Sequence, residues 1–134
     1  MRVLAPTAGP KPAERTANFI AALCKDIEAD LIVIHVRSKG TKLSEEEERK
    51  ALEIFEQAAR RAGVSVETKL VEGDVVQSIL EAAEREKVDL IVMGATTEPT
   101  LKKWIKGNVI IEVMERSTVP VTVIPSALRP DLYH

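Results

Sequence analysis

"DLIVIHV", Asp30 to Val36, decides the fold. Seven residues are too few for a typical globular helix, and the run is apolar at nearly every position instead of at every second one. A strand with one wet face alternates; a strand covered on both faces does not. The stretch therefore predicts a strand inside a parallel sheet with helices above and below it. "DLIVMG", Asp89 to Gly94, repeats the pattern and predicts a second interior strand.

Outward from these two lie three further strands. "RVLA" (2–5) is short and apolar, "VSVETKLV" (64–71) alternates, and "VPVTVIP" (119–125) carries Pro120 and Pro125 at its ends. Alternation and flanking prolines suit the edges of a sheet. Between the strands the period changes to that of a helix. Ala13, Ala17, Ile20, Cys24 and Ile27 form one stripe over about 12–28. Ser44 and Glu47 make a capping-box pair ahead of Leu52, Phe55, Ala59 and Ala62, and Gly63 ends that helix. Glu45 to Glu48 then fall in a first turn, where the helix dipole favours anions. Asp74 caps a third helix that turns Val75, Ile79, Ala82 and Ala83 inward as far as Arg85.

In "LKKWIKGNVIIEVMER" a continuous helix would hold Gly107 inside it, at about 1 kcal/mol relative to Ala. A break there, with Asn108 as N-cap of a short helix from Val109 to Arg116, is the better solution. Strand and helix alternate along the whole length, which implies right-handed crossovers and an α/β domain with a mainly parallel five-stranded sheet and helices on both faces.

The 134 residues suit one domain, taken as residues 1–126 with 127–134 as a tail. Apolar residues are 45% and charged residues 30%, with no stretch of about eighteen apolar residues, so no membrane span is expected. "MRVLAP" enters a strand at once and carries no targeting pattern, which points to the cytoplasm. Nineteen basic against twenty-one acidic residues give a charge of −2 and no general attraction to nucleic acid or membrane. Aromatics at 3% leave little for a base-stacking platform. A single cysteine, Cys24, excludes an internal disulfide and a Cys-rich zinc site, and its stripe position makes it a packing residue. Abundant Glu, Lys and Arg beside two Asn and two Gln are compatible with growth at high temperature.

Ligands of open α/β sheets bind beyond the carboxyl ends of strands where the strand order reverses. Two loops have suitable composition there: "PTAGPKP" (6–12) and the opening of "MGATTEPTLKKWIKGNV" (93–109). Neither the dinucleotide glycine fingerprint nor the P-loop pattern occurs. His35 closes a strand and His134 ends the chain, and no patterned acid or serine accompanies either, so His35 reads as a satisfied structural histidine. Trp104 reads as a packing residue.

The order and spacing of "RVLAPTAGPKPAERTANFIAALCKDIEADLIVIHV", "VDLIVMGA" and "LKKWIKGNVIIEVMERSTVPVTVIP" resemble the universal stress proteins over nearly the entire chain. The resemblance implies an adenine nucleotide alpha hydrolase-like sheet of order 3-2-1-4-5, a switch point between the first and fourth strands, and homodimers through the fifth strand, here with Val121, Val123 and Ile124 at the seam. It implies a role in stress tolerance with no defined reaction, and so no enzyme.

Members that bind ATP carry Gly, two residues, Gly, nine residues, Gly and Ser or Thr after the fourth strand, with an Asp in the first loop. Here Gly94 and Gly107 match, Thr97 replaces the middle glycine, Asn108 stands at the hydroxyl position, and Ala8 takes the place of the Asp. A β-branched Thr97 in a glycine conformation costs about 1–3 kcal/mol, and loss of an acceptor at Ala8 about 1.5–3 kcal/mol. Together these weaken binding by two or more orders of magnitude, at about 1.4 kcal/mol per tenfold. The expectation is therefore a ligand-binding domain whose ATP site is degenerate, with binding weak or lost. The alternative is a switch that still binds ATP or AMP, with magnesium, through Pro6, Thr7, Met93, Gly94, Gly107, Asn108 and Val109, with Val36 near the base.

Overall fold

The computed structural model describes residues 1–95 and 108–129. In chain order the elements are β1 (Arg2–Pro6), α1 (Pro10–Asp26), β2 (Asp30–Arg37), α2 (Glu45–Ala62), β3 (Val66–Glu72), α3 (Val75–Arg85), β4 (Leu90–Gly94), α4 (Asn108–Arg116) and β5 (Val121–Ile124). The strands form one five-stranded sheet in the order β3-β2-β1-β4-β5, with every neighbouring pair parallel. Architecture and strand order both match the reading of the sequence.

Side-chain alternation along the strands sorts the core into two layers. Val3, Ala5, Leu31, Val33 and Val92 face α1 and α2, where they meet Ile20, Cys24 and Phe55. Leu4, Ile32, Ile34, Ile91 and Met93 face α3 and α4, where they meet Ile79 and Val113. The interior strand β2 is buried from Leu31 to Val36, as its unbroken apolar run requires, whereas edge strand β3 is nowhere fully buried. Burial pushes the Cys24 thiol up to about 11, with the nearby Asp30 carboxylate adding to the shift, so Cys24 packs and does not react.

The helix ends follow local chemistry. At α2 the capping box is complete: the Ser44 hydroxyl accepts from the Glu47 N–H and the Glu47 carboxylate accepts from the Ser44 N–H, both at 3.1 Å. Gly63 closes the helix in the left-handed region, at φ 75°. Asp74 caps α3 by accepting from the Gln77 N–H at 3.0 Å. The short last helix spans Asn108–Arg116, so Asn108 lies in its first turn and is not the cap ahead of a Val109 start that the sequence predicts, while the expected break at Gly107 lies outside the described residues. Thr97, Glu98, Lys102, Lys103, Trp104, Gly107 and His134 lie outside the described residues.

Candidate functional site

From β1 the chain adds β2 and β3 on one side of the sheet, then returns to add β4 and β5 on the other. The order reverses between β1 and β4. β1 leaves the sheet early: its pairing ends with Pro6 opposite Ile34, and the Thr7 N–H donates to the Ile34 carbonyl at 2.9 Å. β2 runs on to Arg37. Its odd-numbered residues bond toward β3, as shown by Leu31 N–H to the Ser65 carbonyl at 2.9 Å and Gly73 N–H to the Arg37 carbonyl at 3.1 Å. The N–H and C=O of Val36 therefore face the β1 side, beyond the point where β1 has left. Among the described residues no backbone group pairs with either.

Beside Val36 lies the first loop. The Thr7 hydroxyl donates to the Gly9 carbonyl at 3.2 Å, and the Thr7 carbonyl lies 2.8 Å from His35 Nδ1. Among the described residues nothing accepts the N–H of Ala8 or of Gly9. The Ala8 methyl is buried in one apolar cluster with Val36, Met93 and Val109, which draws together β2, β4 and the first turn of α4. At the switch point the apolar side chains of Ala8, Val36, Met93 and Val109 thus adjoin the Val36 N–H, Val36 C=O and Ala8 N–H, which have no backbone partner among the described residues; we call this junction the β1–β4 crevice.

On the opposite face α1 clamps the end of β4. A Cβ on Gly94 would stand 3.0 Å from the Thr16 methyl carbon, Arg15 Nη2 donates to the Ala95 carbonyl at 3.1 Å, and the Ala95 N–H donates to the Ile124 carbonyl at 2.8 Å. Gly94 is absent from the glycines with positive φ. The reason for a glycine at this strand end is close approach, and the left-handed backbone expected of a phosphate-loop glycine is not adopted there.

Under the first loop lies a polar network that motif reading did not single out. Glu48 is fully buried in the first turn of α2. Its Oε2 is 2.7 Å from His35 Nε2, and its Oε1 accepts from Arg37 Nε at 2.7 Å and from Arg37 Nη2. Arg37 also reaches Glu45 through Nη1 at 3.4 Å. His35 is satisfied at both ring nitrogens, as expected. Glu48 does not belong with its three neighbours on the exposed first turn. The available signal was its spacing, four residues before Leu52 and seven before Phe55, which places it on the buried stripe.

Of the predicted site residues, Ala8, Val36, Met93 and Val109 belong to one apolar cluster, Pro6 and Thr7 lead from β1 into it, Gly94 ends β4 against α1, and Asn108 opens α4. Thr97 and Gly107 fall outside the described residues. A separate groove of about 970 Å³ runs between Gly9–Pro12 and the start of α2, and its Lys11, Lys42, Arg49 and Lys50 are matched by Glu45, Glu46, Glu47 and Glu53, a lining that selects neither sign of ligand. Among the described residues no three His, Cys, Asp or Glu side chains are grouped to hold a metal, and no helix is long and apolar enough to cross a membrane.

A five-stranded parallel sheet of order β3-β2-β1-β4-β5 with helices on both faces defines a doubly wound α/β domain. The chain belongs to the universal stress protein family, whose family model matches residues 1–125. Universal stress protein MJ0531 of Methanocaldococcus jannaschii is 28% identical over 137 aligned positions, covering 92% of this chain and 81% of that protein. A universal stress protein solved in complex with cAMP superposes with a TM-score of 0.74 at 24% identity, covering 93% of this chain and 96% of the other. The universal stress protein of Archaeoglobus fulgidus in complex with dAMP gives 0.69 at 22% identity, covering 92% and 95%. At these identities the two solved structures establish the shared fold.

Proposed function

We propose that this chain is a stress-response domain that binds an adenine mononucleotide in the β1–β4 crevice and acts through that binding, without catalysing a reaction. The observation that carries the reading is that the N–H and C=O of Val36 have no partner among the described residues. A buried backbone group left without a partner costs about 1–3 kcal/mol, and nearly all such groups in folded proteins are paired. A nucleobase supplies what this edge lacks, a donor and an acceptor on one rim and flat apolar faces for Ala8, Met93 and Val109. Neighbours of the same fold that carry cAMP and dAMP support a mononucleotide as the ligand class.

Loss of binding was expected from Ala8 and Thr97. Ala8 removes one side-chain acceptor, but the Val36 carbonyl keeps an acceptor at the base end. The penalty of about 1–3 kcal/mol for Thr97 falls on the loop expected to hold the outer phosphates. AMP is then the better ligand, and ATP gains little from its extra phosphates. Calorimetric titration of the pure protein with AMP, ADP and ATP, magnesium present, tests this. Saturable AMP binding in the micromolar range, with ATP no tighter, is expected; no heat with any of the three overturns the reading.

The same proposal includes a cytoplasmic homodimer in which a second copy covers β5. Val123 on that edge strand and Ile111 and Met114 on the adjoining α4 are exposed apolar side chains. Ile124, expected at the seam, is buried in the α1–α2 layer and its side chain is taken up within the protomer.

A further inference from the structure

We propose that His35, clamped by Glu48 and Arg37, is the positioning residue of the crevice: it orients the Thr7–Ala8 peptide so that the Ala8 N–H faces the ligand. The ligand-binding part of this inference rests on the mononucleotide reading; the orientation of the peptide does not.

A carbonyl oxygen can only accept, so the Nδ1 that lies 2.8 Å from the Thr7 carbonyl carries a hydrogen. The contact of 2.7 Å between Nε2 and Glu48 Oε2 likewise holds one proton, whichever partner owns it, since neither atom could otherwise donate. Both nitrogens are committed, and a ring flip would break both bonds. Glu48 is in turn fixed from its other oxygen by two Arg37 nitrogens. The ring has one orientation, and it holds the Thr7 carbonyl in one direction.

The consequence lies across the peptide plane. In a trans peptide the N–H points opposite to the C=O, and among the described residues no peptide bond is cis. His35 stands on the face of β2 that meets α2, so the Thr7 carbonyl points toward the α1–α2 layer. The Ala8 N–H therefore points toward the α3–α4 layer, where Ala8, Val36, Met93 and Val109 meet. A donor with no acceptor among the described residues is aimed toward the β1–β4 switch point by a ring on the far side of the sheet.

Stability alone is a poor reason for such a network. Well-packed apolar residues commonly replace a buried ion pair at no loss of stability, whereas removing one partner is strongly destabilising. Here the buried partners converge on one backbone carbonyl at the rim of the site.

Three variants separate positioning from simple support. Glu48→Gln can donate to Nε2 of the neutral ring and still accept from Arg37, so it keeps the ring in place. His35→Phe keeps a ring but removes the donor to Thr7, and Glu48→Ala frees one side of the ring. Two quantities are read: AMP affinity by titration, and the backbone amide signals of Ala8 and Gly9 by NMR in the ligand-free protein. Wild type and Glu48→Gln are expected to share one Ala8 amide position, low mobility there, and AMP affinities within about twofold. His35→Phe should shift and mobilise the Ala8 amide and weaken AMP about fivefold, the size of one lost neutral hydrogen bond.

Should His35→Phe not fold, Glu48→Ala takes its place with the same expectations. A folded His35→Phe or Glu48→Ala protein with an unchanged Ala8 amide overturns the inference. So does a persistently mobile Ala8 amide in the wild type. If wild type binds no AMP, the mononucleotide reading fails, and the amide signals still decide whether His35 orients the peptide.

Discussion

At Gly94 the backbone of β4 passes so close to α1 that an added Cβ would meet the Thr16 methyl carbon at 3.0 Å. Thr16 cannot easily yield, because it is buried and its hydroxyl is tied to the Pro12 carbonyl at 2.9 Å. Gly94→Ala is therefore expected to destabilise the fold by about 1–2 kcal/mol, the range of a modest overpacking. Thr16→Ser deletes the opposing methyl and keeps the hydroxyl. The double variant should recover most of the loss, a coupling that urea unfolding of the four proteins would measure. Equal losses with and without the Thr16 methyl would place the strain elsewhere. The glycine was legible in the sequence, but its reason was not, since a contact across 78 residues leaves no local mark. Ala8 was read as a lost side-chain acceptor, whereas the Val36 carbonyl, without a backbone partner among the described residues, is a main-chain group that no side-chain pattern reports.

At the level of elements, the end of α3 is tied to two strands through Glu86. Arg2 Nε donates to the Glu86 carbonyl at 2.7 Å and Arg2 Nη2 to its Oε1 at 3.2 Å, while Lys69 Nζ reaches Oε2 at 2.7 Å. The hydrogen bond from Lys69 is the largest of the effects that hold the Glu86 carboxyl below the usual carboxylate range, against burial, which raises it. A depressed folded value means that the stabilisation is complete above the unfolded value, about 4.3 for Glu, and is lost as pH falls through the folded one. Wild-type stability is thus expected to decline from about pH 4.3 downward, and Lys69→Met should flatten that decline. Urea midpoints between pH 2 and 6 (roughly the window that brackets both states of a carboxyl) would show equal acid slopes if Lys69 had no such role. Helix caps at Ser44, Gly63 and Asp74 could be read from the sequence because a cap acts within four residues. The Arg2–Glu86–Lys69 cluster could not, because its members meet only when β1, α3 and β3 are assembled. Glu48 falls between these cases: its helix was legible, its first-turn position favoured the solvent, and only its phase with Leu52 and Phe55 marked it as buried.

For the whole molecule, the two edges of the sheet differ in a way that bears on association. β3 carries Glu67, Lys69 and Glu72 along its length, and charges on an edge discourage pairing with another sheet. β5 has the sequence VTVI, and Val123 is 37% exposed, beside Ile111 at 53% and Met114 at 54% on α4. An uncharged edge strand next to an exposed apolar helix face is the surface that a two-fold copy would cover, each strand supplying the partner the other lacks. The position of β5 also links that surface to the crevice, because the Ile124 carbonyl holds the Ala95 N–H at the start of the loop after β4. Light scattering at low and high micromolar concentration should therefore give twice the chain mass. Val123→Lys and Met114→Glu together should give a monomer with an unchanged circular dichroism spectrum, because neither side chain serves the protomer's core. A wild-type protein that remains monomeric at high micromolar concentration would remove the dimer from this account and leave β5 as an edge protected by its shortness and by Pro120 and Pro125 alone.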